Sequence, residues 1–408
     1  MFKQLFFLKF IPCFLFINWS PSQALANLEK TEPLSLEQFL SSVKNQNLNL
    51  KVEKTSAQAA KEASAGISLP APMIGITQIQ DQSGNANGIE ISQTIPLPSA
   101  LSHEHSARES EAKAKGATSN QRQREVLSEA KLLYFNLWKS QERLTFLQEK
   151  KVALLDHLKL ARATTRSDSF LKIHTLKVEA DLDLLENEIT QSELENREKQ
   201  IQLAELINRD EKNFHPLALE FPESSVPNEN LLKSPLSLEI KRHELESLKA
   251  REQVARGSWF PEISLRYRQM GGTQMNPRFS EAMIGVTLPF VFFWEPQASS
   301  GKAAAETLQG EFSLSQEQRQ VETKRSILIA RALSFKKQLT QLKEKLLPKA
   351  ENRMRLVRNL APRDLETLQD HREAMEAYPE LKLKTLEMRG QYEETISALE
   401  KFISGDSQ

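Results

Sequence analysis

The sequence predicts a mainly α protein with a small β part: long α-helical coiled-coil hairpins plus four strands per chain, ordered as two helix-strand-strand-helix repeats. Three observations predict it. Only 13 glycines occur in 408 residues, alongside abundant Glu, Lys, Gln, Leu and Ala, a composition suited to long helices rather than to an α/β enzyme. Residues 257–294 hold two short runs with a period of two inside otherwise helical sequence. The same pattern stands about half a chain earlier, which makes it architectural rather than local.

Residues 1–26 read as a secretory signal, because Lys3 and Lys9 flank a run of Phe, Leu and Ile that ends at Ala24-Leu25-Ala26. Cys13 lies in that run without the small residues of a lipoprotein cleavage box, so no acylation is expected. The remaining chain has no cysteine for a disulfide or a nucleophile. No later segment has the ~18 uninterrupted apolar residues of a membrane-spanning helix. If the chain crosses a bilayer, it does so with strands.

The first repeat is expected over 27–208. Ser35 with Gln38 has capping-box spacing and opens a helix running to about Ala65. Gly66-Ile-Ser-Leu-Pro70 then parallels Gly257-Ser-Trp-Phe-Pro261. Ile74 and Ile76 fall opposite Leu265 and Tyr267, and after Gly84, Asn85 and Asn87 the alternation resumes at Ile89, Ile91, Ile95 and Leu97. Beyond Pro98 a long helix carries Ala130, Leu133, Leu137, Leu144, Leu147, Leu154 and Leu158 at spacings of three, four and seven, a coiled-coil seam. Ser140 and Lys151 interrupt that seam, as suits one that faces water in places. After a reversal at Thr164–Ser169, a return helix from about Phe170 to Asn208 carries Leu176, Leu182, Leu185, Ile189, Leu194, Leu203 and Leu206. Pro216, Pro222, Pro227 and Pro235 break residues 209–235 into an irregular connector.

The second repeat is expected over 236–404, with 405–408 as a tail. Leu236–Ala255 is its first helix. In its strand pair Ile263, Leu265 and Tyr267 alternate with Glu262, Ser264, Arg266 and Arg268, and Ala282, Ile284, Val286, Leu288 and Phe290 share a face opposite Met283, Gly285 and Thr287. A long helix follows from Gln297 to about Leu360, in which Pro348 kinks the axis or marks a boundary. Asp364–Phe402 returns. Each long helix of ~60 residues spans ~90 Å, and the first and return helices of a repeat laid end to end nearly match it. The expectation is a tall helical cylinder. Four strands are too few to close a barrel, and an open apolar sheet would aggregate, so strands from several copies must combine.

The chain resembles the TolC-like outer-membrane efflux family, closest in style to the members of heavy-metal and drug efflux systems. The resemblance rests on Leu34-Ser-Leu-Glu-Gln-Phe-Leu40, the paired strands each introduced by a proline, Ala130-Lys-Leu-Leu-Tyr134, Leu346-Leu-Pro-Lys-Ala350 and the half-chain duplication. It implies a homotrimer whose strands close a β-barrel in the outer membrane over an α-helical tunnel in the periplasm. It also implies partners: a periplasmic adaptor and an inner-membrane pump. The function that follows is a passive conduit for export. On this expectation Ile89, Ile91, Ile95, Ile263, Leu265, Ile284, Val286 and Leu288 face outer-membrane lipid, while Glu90, Ser92, Thr94, Glu262, Ser264, Arg266 and Arg268 face the lumen. Trp259, Phe260, Tyr267, Phe292, Phe293 and Trp294 lie at or near strand ends, either as an interfacial aromatic girdle or packed under a loop.

The stretch Leu360–Asp370 resembles the family's hairpin tip, where charged residues hold the tunnel shut. Arg363 and Asp370 fall on the matching Arg and second Asp, with Thr367 in place of the first Asp and Ala361 in place of a Gly. In the first repeat Arg166 stands where that Gly would be and Lys172 where an Asp would be. Arg363, Asp370 and Arg166 are therefore the gate candidates.

Other chemistry finds little support. Removing Lys3 and Lys9 leaves 52 basic against 54 acidic residues, so charge gives no reason for a nucleic-acid partner. No phosphate loop, catalytic triad or metal-hydrolase spacing stands out, so no catalytic residue, cofactor or metal is expected. His103 and His105 are i and i+2 on a helix and point to different sides. The competing reading is a non-spanning periplasmic coiled-coil adaptor or scaffold. It would account for the helices but not for four strands with lipid-like alternation.

Overall fold

The computed structural model describes residues 31–402 apart from 67–68, 82–83, 165–168, 211–213, 228–234, 273–276, 288–290, 292 and 359–364. The signal-peptide expectation thus lies outside the described residues. In chain order the elements are β1 (Thr31–Leu34), α1 (Leu36–Gln46), α2 (Leu48–Ser64), β2 (Met73–Asp81), β3 (Gly84–Ile95), α3 (Pro98–Thr164), α4 (Ser169–Leu206), β4 (His215–Ala218), α5 (Leu236–Gly257), β5 (Ile263–Met270), β6 (Phe279–Val286), α6 (Trp294–Gln341), α7 (Leu347–Arg358) and α8 (Leu365–Glu400). A π-helical turn, Leu342–Leu346, joins α6 to α7.

The spine is α3, whose 67 residues extend roughly 100 Å at 1.5 Å per residue. It packs against α2, α4, α5 and α8, and α8 in turn packs against α6 and α7. The seam read from the sequence is present: Ala130, Leu137, Leu147, Leu154 and Leu158 are buried, with Leu133 and Leu144 half-buried. Ser140 does not face water as expected. It is buried, its hydroxyl donating to the Leu137 carbonyl at 2.8 Å and lying 3.1 Å from Asn196 Oδ1. Lys151 escapes the seam by pairing with Glu186 at 2.8 Å.

On α4, Leu176 and Leu194 do not join the seam and are largely exposed. The buried row is His174, Val178, Leu182, Leu185 and Ser192, spaced three, four and seven apart, and the two leucines fall two residues out of that phase. The helix expected to run unbroken from Ser35 is also two helices. Asn47 stands between them in an extended conformation, its side chain accepting from Leu50 N at 3.1 Å and donating to the Leu206 carbonyl at 3.1 Å. Ser35 and Gln38 form the expected capping box.

The largest apolar cluster lies beside the middle of α3. There Tyr134, Phe135 and Leu137 meet Phe39, Val43 and Leu50 from α1 and α2, Leu203 and Ile207 from the end of α4, and Phe214, Ala218 and Phe221 from the segment read as irregular. That segment contains β4, which pairs in parallel with β1, a pair the sequence reading missed because four-residue strands have no resolvable period. Tyr134 holds it in place: its hydroxyl donates to the Leu34 carbonyl at 2.6 Å and accepts from Leu219 N at 2.9 Å. Arg389 of α8 donates to the Phe221 carbonyl and stacks over Trp138 at 4.4 Å.

Pro348 sits two residues past the end of the π-helical turn. Proline has no N–H to give to the preceding turn and its ring displaces the carbonyl there, and one wide turn absorbs the conflict without ending the helix. Tyr134→Phe should lower the thermal midpoint of the purified protein by an amount corresponding to about 1–3 kcal/mol, the net worth of the two hydrogen bonds its hydroxyl makes. Tyr134→Ala should cost about 3–5 kcal/mol. Calorimetry on the three proteins side by side checks both values.

Candidate functional site: an inverted sheet and a hairpin-tip end

Strands β2, β3, β5 and β6 form one antiparallel sheet in the order β2-β3-β5-β6. Its register puts Ile91 opposite Ile74 and Tyr267, Ile89 opposite Ile76, and Leu265 opposite Ile284. Ile95 and Val286 both lie opposite Ile263. Since side chains alternate faces, one face carries Ile74, Ile76, Ile89, Ile91, Ile95, Ile263, Leu265, Tyr267, Ala282, Ile284 and Val286. The face points outward, with Ile76 88% and Ile284 74% exposed. From Ile89 to Ile95 it runs about 20 Å along the strand, close to the ~25 Å apolar band of an outer-membrane barrel.

The opposite face is mainly polar, with Met73, Ile79 and Met283 among the exceptions, and most of its side chains are better covered. Glu90 lies opposite Arg268, Ser92 opposite Arg266, and Thr94 opposite Ser264. Arg266 pairs with Glu90 at 3.1 Å and Arg268 pairs with Glu281 of β6. Glu262 precedes β5, and its backbone extends the ladder: its N–H donates to Thr287 Oγ1 at 2.8 Å and its carbonyl accepts from Thr287 N at 2.9 Å. The register therefore puts the residues expected to face lipid on one face and those expected to face the lumen on the other. Leu288 lies outside the described residues.

Two side chains depart from the expectation. Tyr267 is central in the apolar face rather than at a strand end, because it stands between Ile91 and Ala282. Gln93, opposite Leu265, interrupts that face, and its Nε2 donates to the Pro70 carbonyl at 2.6 Å. Trp259, Phe260, Phe293 and Trp294 are exposed at the helix end of β5 and β6, with the last two rings edge to face at 5.5 Å. Phe292 lies outside the described residues.

At the far end of the helical body, Arg166 and Arg363 fall outside the described residues, while Asp370 is exposed on α8. Beside Asp370 is a group that the sequence reading missed. His157 of α3, His174 of α4 and His371 of α8 are all buried, with His157 Nδ1 3.2 Å from His371 Nδ1 and His157 Nε2 3.0 Å from His174 Nε2. Burial, then the nearby His174, His371 and Arg372, lowers His157 to about 4. Burial first, then Arg372 and Lys177, lowers His174, and burial lowers His371. The signal was available in the seam: His174 precedes Val178 by four residues and His371 follows Leu368 by three, both apolar and buried. Adjacent pairs draw attention because they are adjacent; these three share seam positions instead.

Among the described residues no group of three could hold a metal ion, and no helix is long and apolar enough to cross a membrane. The sequence matches no protein-family profile and no curated protein. The chain is nevertheless similar over nearly its full length to solved outer-membrane channels. With the open state of the MtrE outer membrane channel of Neisseria gonorrhoeae it shares 14% identity, covering 90% of this chain and 88% of that one at a TM-score of 0.74. With the CmeC outer membrane channel of Campylobacter jejuni the values are 13%, 91%, 87% and 0.74. With CusC, whose structures concern folding and transmembrane channel formation, they are 14%, 91%, 92% and 0.75. The fold is that of these channels.

At Gly88 of β3 an added Cβ would meet Met270 Sδ and the Gln269 carbonyl of β5, whereas one on Gly75 would meet nothing within 4 Å. Gly88→Ala should therefore destabilise the sheet by about 1–3 kcal/mol, and Gly75→Ala should be near neutral. Thermal melts and protease resistance of the strand region compare the two.

Proposed function

We propose that this chain is the outer-membrane channel component of a tripartite efflux or secretion system, a passive conduit without bond chemistry. The observation that carries the reading is the inverted sheet, apolar outside and ion-paired inside, with unpaired edges on β2 and β6. In water such a face and such edges invite aggregation; in a bilayer every backbone group must be paired and the greasy face is required. Closure with two further copies would give a twelve-stranded barrel in the outer membrane, continuous with a periplasmic tunnel of α3 to α8. The same sheet argues against an adaptor that stays out of the membrane.

On this reading residues 1–26 direct export, and 27–208 and 236–404 are the two duplicated units, joined by 209–235. A periplasmic adaptor and an inner-membrane pump deliver the solute to the hairpin tips. Arg363, Asp370 and Arg166 are the proposed gate charges there. Glu90, Ser92, Thr94, Glu262, Ser264, Arg266 and Arg268 would line the lumen and set its selectivity.

Fractionation of cells, with gel mobility before and after heating, tests the assignment. The expected result is an integral outer-membrane trimer that dissociates on heating, and Ile284→Arg should cut its membrane yield, since an arginine on the lipid face costs about 2–4 kcal/mol at mid-bilayer. A protein released by alkaline wash, indifferent to Ile284→Arg, would overturn the assignment. In planar bilayers Arg266→Glu with Arg268→Glu should shift selectivity toward cations. An unchanged reversal potential would place these side chains away from the lumen.

A further inference from the structure

The three buried histidines lie close to the hairpin tips, His157 seven residues before the end of α3, His174 five after the start of α4 and His371 six after the start of α8. Beside the Arg372–Asp181 ion pair they form a second, buried polar contact between the α3–α4 hairpin and α8 at that end, set between the Leu147–Leu185 cluster and the Ala161–Leu368 contact. His157 uses its two ring nitrogens on opposite sides, toward His371 and toward His174. No single point is reached by all three rings, so the arrangement is a relay rather than a chelate.

We propose that the His174–His157–His371 chain is a proton-operated latch that ties the α3–α4 hairpin to α8 at neutral pH and releases it in acid. Each N···N contact needs one N–H donor and one bare nitrogen, which neutral imidazoles supply. A first added proton can be accommodated by exchanging tautomers, but it leaves a cation buried beside Arg372. A second proton sets two N–H groups face to face in one contact. Release therefore engages up to two protons.

The charged surroundings come from every packed element. Arg372 of α8 pairs with Asp181 of α4 at 2.5 Å and with Glu376 at 2.9 Å. Arg162 of α3 pairs with Glu179 of α4 at 2.6 Å, Asp156 of α3 with Lys159 at 3.3 Å, and Arg353 of α7 with Glu373 of α8 at 3.8 Å. Lys177 of α4 adds positive charge. Asp181, Glu376, Glu179, Asp156 and Glu373 are thus already engaged by basic residues and are poor partners for a new imidazolium, while Asp370, next to His371 on α8, is exposed to solvent. The histidines' affinity for protons is lowered in the latched form, so the latched form is favoured above the ordinary histidine pKa and loses ground as pH falls toward about 4. For His157 alone the ratio of latched to released protein should fall roughly 30-fold between pH 7.5 and 5.

The consequence for opening rests on the channel reading; the latch itself does not. Spin labels at Leu176→Cys and Gln369→Cys in a Cys13→Ser background, both positions exposed on α4 and α8, report the separation of the two elements in the full chain. The wild-type distance distribution should shift between pH 7.5 and 5. In His157→Gln and, separately, His371→Gln it should not respond to pH, whether it starts latched or released. A wild-type distribution that stays fixed across that range, or variants that respond as the wild type does, would overturn the latch. Conductance recorded in parallel should rise in acid for the wild type only; a protein that never conducts sinks the channel reading and leaves the latch to be judged by the distances.

Discussion

Backbone N–H and C=O groups along a sheet edge must find partners, and in a hydrocarbon layer they have no water to turn to. Strands β2 and β6 each leave such an edge, on a sheet whose isoleucines other than Ile79, with Val286, point outward while Glu90, Arg266, Arg268 and Glu281 pair on the other side. A four-stranded ribbon cannot cure this by itself. The remainder of the chain is arranged to hold the ribbon at one end of a long body, with helices α3 and α6 leaving it and α2 and α5 arriving.

Helices of this length gain little from any single contact, and their alignment depends on where the chain pins them. The pin is the cluster around Tyr134, where the start of the chain, the end of α4 and the segment after it converge on the middle of α3. Parallel pairing of β1 with β4 closes a loop of about half the chain, and Tyr134 satisfies backbone groups at both strands' ends. Arg389, stacked over Trp138 and hydrogen bonded to the Phe221 carbonyl, brings α8 to the same place. The body is fixed at its waist, leaving its two ends to meet different surroundings.

Toward the tips the seam changes character. Beyond Ser140 and Ser192, buried near the waist, and the Leu147–Leu185 cluster, it is interrupted by the three buried histidines. A polar seam can be fully satisfied in one protonation state and not in another, whereas a leucine seam has no such dependence. The helices are pinned at the Tyr134 cluster, and the protonation-dependent contacts lie near their far ends.

Much of this was legible in the chain itself. Helices announce themselves by a 3.6-residue period sustained over dozens of residues, strands by a period of two, and both faces of the sheet follow from Ile89-Glu90-Ile91-Ser92 and Ile263-Ser264-Leu265-Arg266 once strands are granted, because alternation is local. The break at Asn47, the β1–β4 pair, the central place of Tyr267 and the exposure of Leu176 and Leu194 were not legible. Each depends on which distant residue stands opposite: Leu206 for Asn47, His215–Ala218 for Thr31–Leu34, Ile91 and Ala282 for Tyr267. The histidine chain is the clearest case, since its members are 17 and 214 positions away from His157. Sequence fixes what a residue can do with its immediate neighbours; only packing decides which remote partner removes it from water, and with that its proton affinity.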